Sequence, residues 1–471
     1  MNSKKLFKDL SANTIQTGIT QVAGLLIFYI MSKYIAKADF GEYSWATAVG
    51  STIIAIGSLG LDLVLVKRIA SGQDVRTMAG IHFFHTLLVG FLTVVVLLVL
   101  QIIWPSLLAY HPLFLLVIIQ LVLSSVANSI KFSLTGLEEF RSLAIISIIT
   151  NCLKLAAVVL LLLFHTLTVQ NIVLGFVFTS FIELLINFYF INKRIGQRLR
   201  PVLEKTTYKD FVLESLPQLG VVLFDSALAR VDWILLGIIS TISITAEYSF
   251  AYKFFELSKL PLLILAPVLL TRFSRLYQSN EPVSEEKQRS IQAFFNLEIF
   301  IALLIPVFMI CAWTDLIDFI TDGKYGAVNQ ITYTILAICV PLHFVINFLW
   351  TMGFVQKQLK AIMYITIGVS VLNLLANIIL IPLYGSTGAA IAFLLGTIVQ
   401  LLLYYFTVNQ DIMLINLKNA LLLFLIAVSS ILILRIFIEN NYLLAFIACI
   451  LYISLALGFR LVSLKNMSIR K

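Results

Sequence analysis

Charge is what this chain has least of. Only 12% of its 471 residues are Asp, Glu, Lys or Arg, and 60% are hydrophobic. A soluble domain carries roughly twice that share of charge on its surface, so composition and a mean hydropathy of +1.00 exclude a soluble globular protein. Cysteine is scarce as well. Cys152, Cys311, Cys339 and Cys449 each lie inside an apolar run, which excludes a disulfide framework and any Cys/His zinc spacing. Histidine is sparse and scattered (His82, His85, His111, His165, His343), and the one close pair, His82 and His85, has no third ligand at metal spacing. No phosphate-binding glycine loop and no nucleophile motif occurs. The chain is therefore expected to be no enzyme and to hold no cofactor or metal.

What it has instead is long apolar runs. A helix needs about 20 apolar residues to cross hydrocarbon, and about fourteen segments qualify: 14–35, 44–66, 81–103, 113–133, 143–164, 169–191, 211–238, 246–271, 292–314, 331–354, 361–383, 386–407, 419–438 and 441–463. The runs are continuous, whereas a membrane β-barrel alternates polar and apolar residues in shorter segments. The first run is too long for a signal-peptide core and lacks a small-residue cleavage pattern, so it is expected to persist in the mature protein.

Lysine and arginine orient these spans. With the N-terminus in the cytoplasm, the cytoplasmic connections receive Lys4, Lys5, Lys8, Lys67, Arg68, Arg76, Lys131 and Arg141. The basic stretch Lys193, Arg194, Arg198, Arg200, Lys205 and Lys209 falls on the same side, as do most later cations. The other side is left with Lys33, Lys37 and Lys324. This is a positive-inside pattern that puts both termini in the cytoplasm. The net charge of +9 is then a matter of topology and anionic-lipid contact, and calls for no nucleic acid.

The chain also repeats itself. Glu42-Tyr43-Ser44-Trp45-Ala46 returns 205 residues later as Glu247-Tyr248-Ser249-Phe250-Ala251, each copy leading into the next apolar run. The offset maps span one onto span seven, which predicts bundles at 1–205 and 206–410 and accessory helices at 411–471. Because six spans separate the copies, both enter from the same side and the repeats are parallel.

Ala38-Asp39-Phe40-Gly41-Glu42-Tyr43 follows the first span, Gly60-Leu61-Asp62 with Lys67-Arg68 closes the second, and Thr135-Gly136-Leu137-Glu138-Glu139-Phe140-Arg141 precedes the fifth. Arg230-Val231-Asp232-Trp233, Tyr248-Ser249-Phe250-Ala251-Tyr252-Lys253, and Asn373 and Asn377 before Pro382-Leu383-Tyr384-Gly385-Ser386-Thr387-Gly388 continue the series. In order and spacing this set resembles the polysaccharide (Wzx-type) flippases of the multidrug/oligosaccharidyl-lipid/polysaccharide exporter superfamily. The resemblance covers essentially the whole chain. It implies an all-α polytopic membrane protein, two six-helix bundles in the V of multidrug and toxin extrusion (MATE) transporters plus two C-terminal helices. It also implies a lipid-linked oligosaccharide as cargo, with membrane lipids, a polysaccharide polymerase and glycosyltransferases as partners, in a bacterial cytoplasmic membrane. Many motif residues have a structural reading too: Gly41, Gly385 and Gly388 suit turns, and Tyr43, Tyr248 and Tyr384 suit the membrane interface.

Ionisable residues inside spans are the sharper candidates, since each costs several kcal/mol unless paired or hydrated. Lys154 in span five and Glu183 in span six sit at similar depth and suit a structural pair. Span seven carries Glu214, Asp225 and Asp232 on one helical stripe, with Arg230 well round from it, and span eight carries Lys253, Glu256 and Lys259. Either Asp232–Lys253 and Lys253–Glu256 are ion pairs that lock a hairpin, or these groups line a hydrated cavity. There Lys and Arg would meet a pyrophosphate, and the carboxylates sugar hydroxyls. The residues aligned with Asp225, Arg230, Asp232, Lys253, Glu256 and Lys259 in the first copy, Thr20, Leu25, Ile27, Ala48, Ser51 and Ile54, are uncharged, which puts the expected chemistry on spans seven and eight. Pro217, Pro261, Pro267, Pro306 and Pro341, with Pro382 at a span end, fall in the second copy, the expected site of bending.

The expected function is translocation of undecaprenyl-diphosphate-linked oligosaccharide for O-antigen, capsule or a related surface polysaccharide, by alternating access. Alternatives in the same superfamily are a peptidoglycan-precursor (lipid II) flippase, for which an arginine-rich first span is expected and absent, and a multidrug/cation antiporter, which Lys154, Arg230 and Lys253 disfavour. A membrane scaffold without transport is disfavoured by the density of buried charge.

Overall fold

The computed structural model describes residues 3–103, 113–262, 265–266, 269–270, 273, 285–408 and 416–462, the side chains of 3–17, 217–218, 220–229, 285–287 and 290 excepted. All regular structure among the described residues is helical, as a backbone with no water to bond must be when it crosses hydrocarbon. Nine of these helices are long and apolar enough to cross a membrane, or ten if one bent pair is a single span.

The chain divides into two compact units, Met1–Gly237 and Ile238–Lys471. The first contains α1 (Ser3–Tyr34), α2 (Lys37–Gly57), α3 (Leu61–Ala70), α4 (Val75–Ile103), α5 (Phe114–Gly136), α6 (Phe140–Leu163), α7 (Val169–Ile195) and nearly all of α8 (Lys205–Ile239). The basic connection 192–210, expected to separate two bundles, thus falls inside the first unit, and α8 belongs with the helices before it. The helix α5 is the centre of this unit, packing on α2, α3, α4 and α7, while α1 packs on α6. Its core includes Phe83, Val126, Ile130, Leu134 and Ile146, with a second cluster of Leu61, Leu65, Ile81 and Phe211.

The second unit contains α9 (Ile242–Ser258), α10 (Glu285–Thr321), α11 (Gly326–Val355), α12 (Leu359–Thr407), α13 (Leu417–Phe437) and α14 (Asn441–Gly458). Here α11 packs on α9, α10 and α12, and α10 also carries α13 and α14. Buried aromatics tie it together: Trp313 stacks on Tyr333 at 3.9 Å and Phe250 on Tyr325 at 4.3 Å between ring centroids.

Local chemistry sets the ends and bends. Thr168 and Thr241 cap α7 and α9 by accepting a hydrogen bond from the backbone N–H three residues on. At the head of α4, Asp74 accepts from the Thr77 hydroxyl at 2.6 Å and its N–H at 2.9 Å, and these bonds hold its carboxyl below the ordinary carboxylate range. The expected span 44–66 is not one straight helix: α2 and α3 meet at 50°. Leu59 (φ 51°) and Gly60 (φ 71°) are both left-handed, which breaks the ladder and strains Leu59 by about 1–2 kcal/mol. The expected span 246–271 is likewise interrupted, since α9 ends at Ser258, three residues before Pro261. Proline has no N–H for the ladder and disfavours helix in the residue before it. Pro306 and Pro341 sit inside α10 and α11, whereas Pro217 and Pro267 lie outside the described side chains and residues.

The expected spans 361–383 and 386–407 are joined in α12 and broken at Gly385, whose φ of 55° and ψ of −128° only glycine adopts readily. Just beyond, a Cβ on Gly388 would lie 2.1 Å from the Leu380 carbonyl oxygen. Backbone meets backbone there, so no side chain can yield. Gly388→Ala is expected to cost about 1–3 kcal/mol as overpacking, read as a lower unfolding midpoint of the detergent-solubilised protein. Gly368→Ala in the same helix, with nothing within 4 Å of its new Cβ, is the control and should leave the midpoint at or above the parent's.

Candidate functional site

Polar groups inside the first unit gather at two places. One is a half-open cavity of about 330 Å³ lined by α2, α3, α4 and α5. Its polar wall is Ser51, Ser58, Asp62, His85, Thr86, Ser124, Ser125 and Asn128; Ile54, Val89, Leu121 and Phe132 supply apolar surface. Two imidazoles brace it. His85 has Tyr208 Oη 2.9 Å from Nδ1 and the Gly57 carbonyl 2.9 Å from Nε2, so Nε2 donates and Nδ1 accepts. Buried His82 donates from Nε2 to Asp62 Oδ1 at 3.0 Å. The i, i+3 histidines thus hold two different partners and share no metal geometry; among the described residues no group of three metal-ligating side chains exists.

The other place is Glu183 on α7, whose side chain is 5% exposed. Lys131 of α5 contacts its Oε1 directly, and Lys154 of α6 stands 3.9 Å from Oε2. The expected Lys154–Glu183 pair is present, but Lys131 holds the closer position. Lys131 had been counted with the cytoplasmic cations although it falls inside the span 113–133. Two ammonium groups share one carboxylate, leaving one formal positive charge in excess, and Lys154 makes no hydrogen bond among the described residues. On α5 the residues Ser124, Asn128 and Lys131 follow at helical spacing and lie on one face, so neutral and cationic groups form one stripe.

The expected stripe on α8 divides differently. Glu214 is held by Lys67 at 2.9 Å and Arg68 at 2.8 Å, at the end of α3. Asp225 lies outside the described side chains. The Arg230 guanidinium sits 4.8 Å from the Trp233 ring centroid, a cation–π contact, and Asp232 is buried with 1% exposure. The last turns of α8 rest on Trp45, whose indole donates to the Ile234 carbonyl at 3.2 Å. That indole belongs to the first copy of the repeated Glu-Tyr-Ser-aromatic-Ala element. In the second copy Tyr248, Ser249, Phe250 and Ala251 are all buried, so both copies serve packing.

In the second unit Lys253 and Glu256 form the expected i, i+3 pair at 2.9 Å, both about one-third exposed. Lys259 places its ammonium 4.1 Å from the Phe255 ring centroid. His343 stacks on Phe393 and meets Phe255 edge-on. Glu298 on α10 was not singled out from the sequence. It is fully buried, and neither carboxylate oxygen has a hydrogen-bond partner among the described residues.

Residues 6–277 match the family model described as "Polysaccharide biosynthesis protein". The chain belongs to that family. Its fold is shared with solved transporters at low identity. The lipid II flippase MurJ in an inward closed conformation is 16% identical, with 95% of this chain and 98% of that one covered and a TM-score of 0.72. An inward-facing multidrug resistance MATE transporter of the MOP superfamily is 14% identical, covering 83% and 96%, with a TM-score of 0.66. A MOP superfamily transporter from Pyrococcus furiosus is 12% identical, covering 84% and 93%, with a TM-score of 0.57. No curated protein matches the chain. The expected family and the all-helical, multi-pass exporter fold therefore hold.

Proposed function

We propose that this polysaccharide biosynthesis protein is a flippase, not an enzyme, and that it moves undecaprenyl-diphosphate-linked oligosaccharide from the cytoplasmic to the outer leaflet of a bacterial cytoplasmic membrane by alternating access. The observation that carries the reading is the stripe on α5, where Ser124, Ser125, Asn128 and Lys131 stand in a membrane span beside a cavity and a lysine pair. Such a stripe costs stability in a helix that only had to span hydrocarbon. A glycan-diphosphate head needs both kinds of group: hydroxyl and amide partners in place of water, and cations for its phosphates. Outward movement of its negative charge is favoured by the membrane potential, at about 2.3 kcal/mol per charge per 100 mV.

In this reading Lys154 and Arg230 are the phosphate-facing cations of the first unit, with Asp225 and Asp232 as its carboxylate candidates, and Lys253, Glu256 and Lys259 are the candidates of the second. The test is reconstitution into lipid vesicles with fluorescent undecaprenyl-diphosphate oligosaccharide, scored by an impermeant quencher. The parent should equilibrate the lipid across the bilayer, faster under a potential that drives anions outward. Lys154→Ala should slow it about tenfold or more, the loss of a charge-assisted contact. A parent that moves lipid II or a lipophilic cation but no lipid-linked oligosaccharide would overturn the proposal.

A further inference from the structure

Resting on the flippase reading, we infer that the cavity of α2, α3, α4 and α5 is a subsite for one neutral sugar ring of the head group, distinct from the charged groups around Glu183. No lysine or arginine lines it and one oxygen of its carboxylate is engaged by His82, so an anion is not suited to it. The uncommitted groups are those a polyol requires. Ser51 and Thr86 each donate to a backbone carbonyl, of Ala48 and His82, which leaves their oxygens as acceptors toward the cavity; Ser58 donates to the Ala55 carbonyl and accepts from the Gly60 N–H at 3.4 Å. Among the described residues the Ser125 hydroxyl and the exposed Asn128 amide make no hydrogen bond, and Asp62 is engaged only through Oδ1.

An amide and a carboxylate lining one cavity offer a donor and acceptors to sugar hydroxyls, while Phe132 gives an apolar face for the C–H side of a ring. The lining is also fixed in advance. Asp62 is oriented by buried His82, and His85 is bonded at both nitrogens, so little ordering entropy remains to be lost on binding. The volume, near the lower end of the roughly 300–1,000 Å³ of small-molecule sites, admits a sugar ring and not a whole oligosaccharide. The subsite thus accounts for how one unit can hold part of a long polar head while other rings are bound elsewhere.

The experiment uses the full-length protein in phosphatidylcholine nanodiscs with diazirine-bearing octyl glucoside, octyl galactoside and octyl N-acetylglucosaminide, and octyl phosphate as the anionic comparison. Cross-linked peptides are mapped by mass spectrometry. At least one glycoside should label the α2 and α5 peptides, octyl phosphate should not, and Asn128→Leu should cut the labelling about tenfold, the weight of a lost fork of hydrogen bonds. Ser125→Ala, a smaller change, should cut it in the same direction if Asn128→Leu does not fold. Labelling that is unchanged in a folded variant, that falls elsewhere, or that octyl phosphate matches overturns the subsite. Vesicle assays on the same protein separate the two claims: intact flipping without cavity labelling refutes the subsite alone, and absent flipping refutes the reading it rests on.

Discussion

Glu183→Ala is expected to be the most damaging single substitution among the buried charges, costing the first unit about 3–5 kcal/mol. Its carboxylate is 5% exposed and faces Lys131 and Lys154, which are only 22% and 24% exposed. Removing it leaves two ammonium groups close together in a membrane span with no counter-charge, so desolvation and mutual repulsion act in the same direction. The measurement is the unfolding midpoint of the detergent-solubilised protein, with the yield of folded protein from membranes beside it. Glu183→Ala combined with Lys131→Met removes one of the stranded charges and should recover much of the loss. Lys131→Met alone should fold, because it leaves a neutral Lys154–Glu183 pair. It should nevertheless slow translocation, since the excess positive charge has gone. A Glu183→Ala protein that unfolds at the parental temperature would remove the argument for a shared counter-ion.

Much of this was legible in the residues. Every described helix except α3 overlaps at least half of an expected apolar run, because in hydrocarbon the backbone has few alternatives to the helical ladder. Lys154 and Glu183 were matched by depth alone, since both are counted from the same short turn. The failures have local causes. The bend between α2 and α3 depends on Leu59 adopting a left-handed φ that its side chain disfavours, and nothing in a continuous apolar run announces it. Lys131 was assigned to the cytoplasmic connection by its charge, although it lies inside the span; the ordinary preference of lysine for the interface outweighed its position. The cavity was out of reach, because its polar residues come from four helices and only the packing of α2, α3, α4 and α5 brings Ser51, Asp62, His85 and Asn128 to one place. A usable signal did exist in α5, where Gln120, Ser124, Asn128 and Lys131 recur at helical spacing through an apolar span. Attention to full charges on spans seven and eight passed over it.

That bias bears on Lys253 and Glu256, which can be read as a lock or as a binding pair. The two readings predict different results. As an i, i+3 pair about one-third exposed on each side, the contact contributes no more than about 0.5 kcal/mol. Lys253→Ala should therefore leave the unfolding midpoint close to the parent's, whichever reading holds. Transport discriminates. If Lys253 meets the diphosphate, Lys253→Ala should slow flipping of lipid-linked oligosaccharide about tenfold or more. The exchange Lys253→Glu with Glu256→Lys keeps the pair but moves the positive charge nearly a turn along α9, and should stay equally slow. If the pair is only a lock, the exchanged protein should flip at the parental rate. The expected result is a well-folded, poorly transporting protein in both cases, because so weak a contact gives little reason to hold an ammonium inside a membrane unit. Parental flux in the exchanged variant would assign Lys253 to structure and leave Lys154 and Arg230 as the cations that meet the substrate.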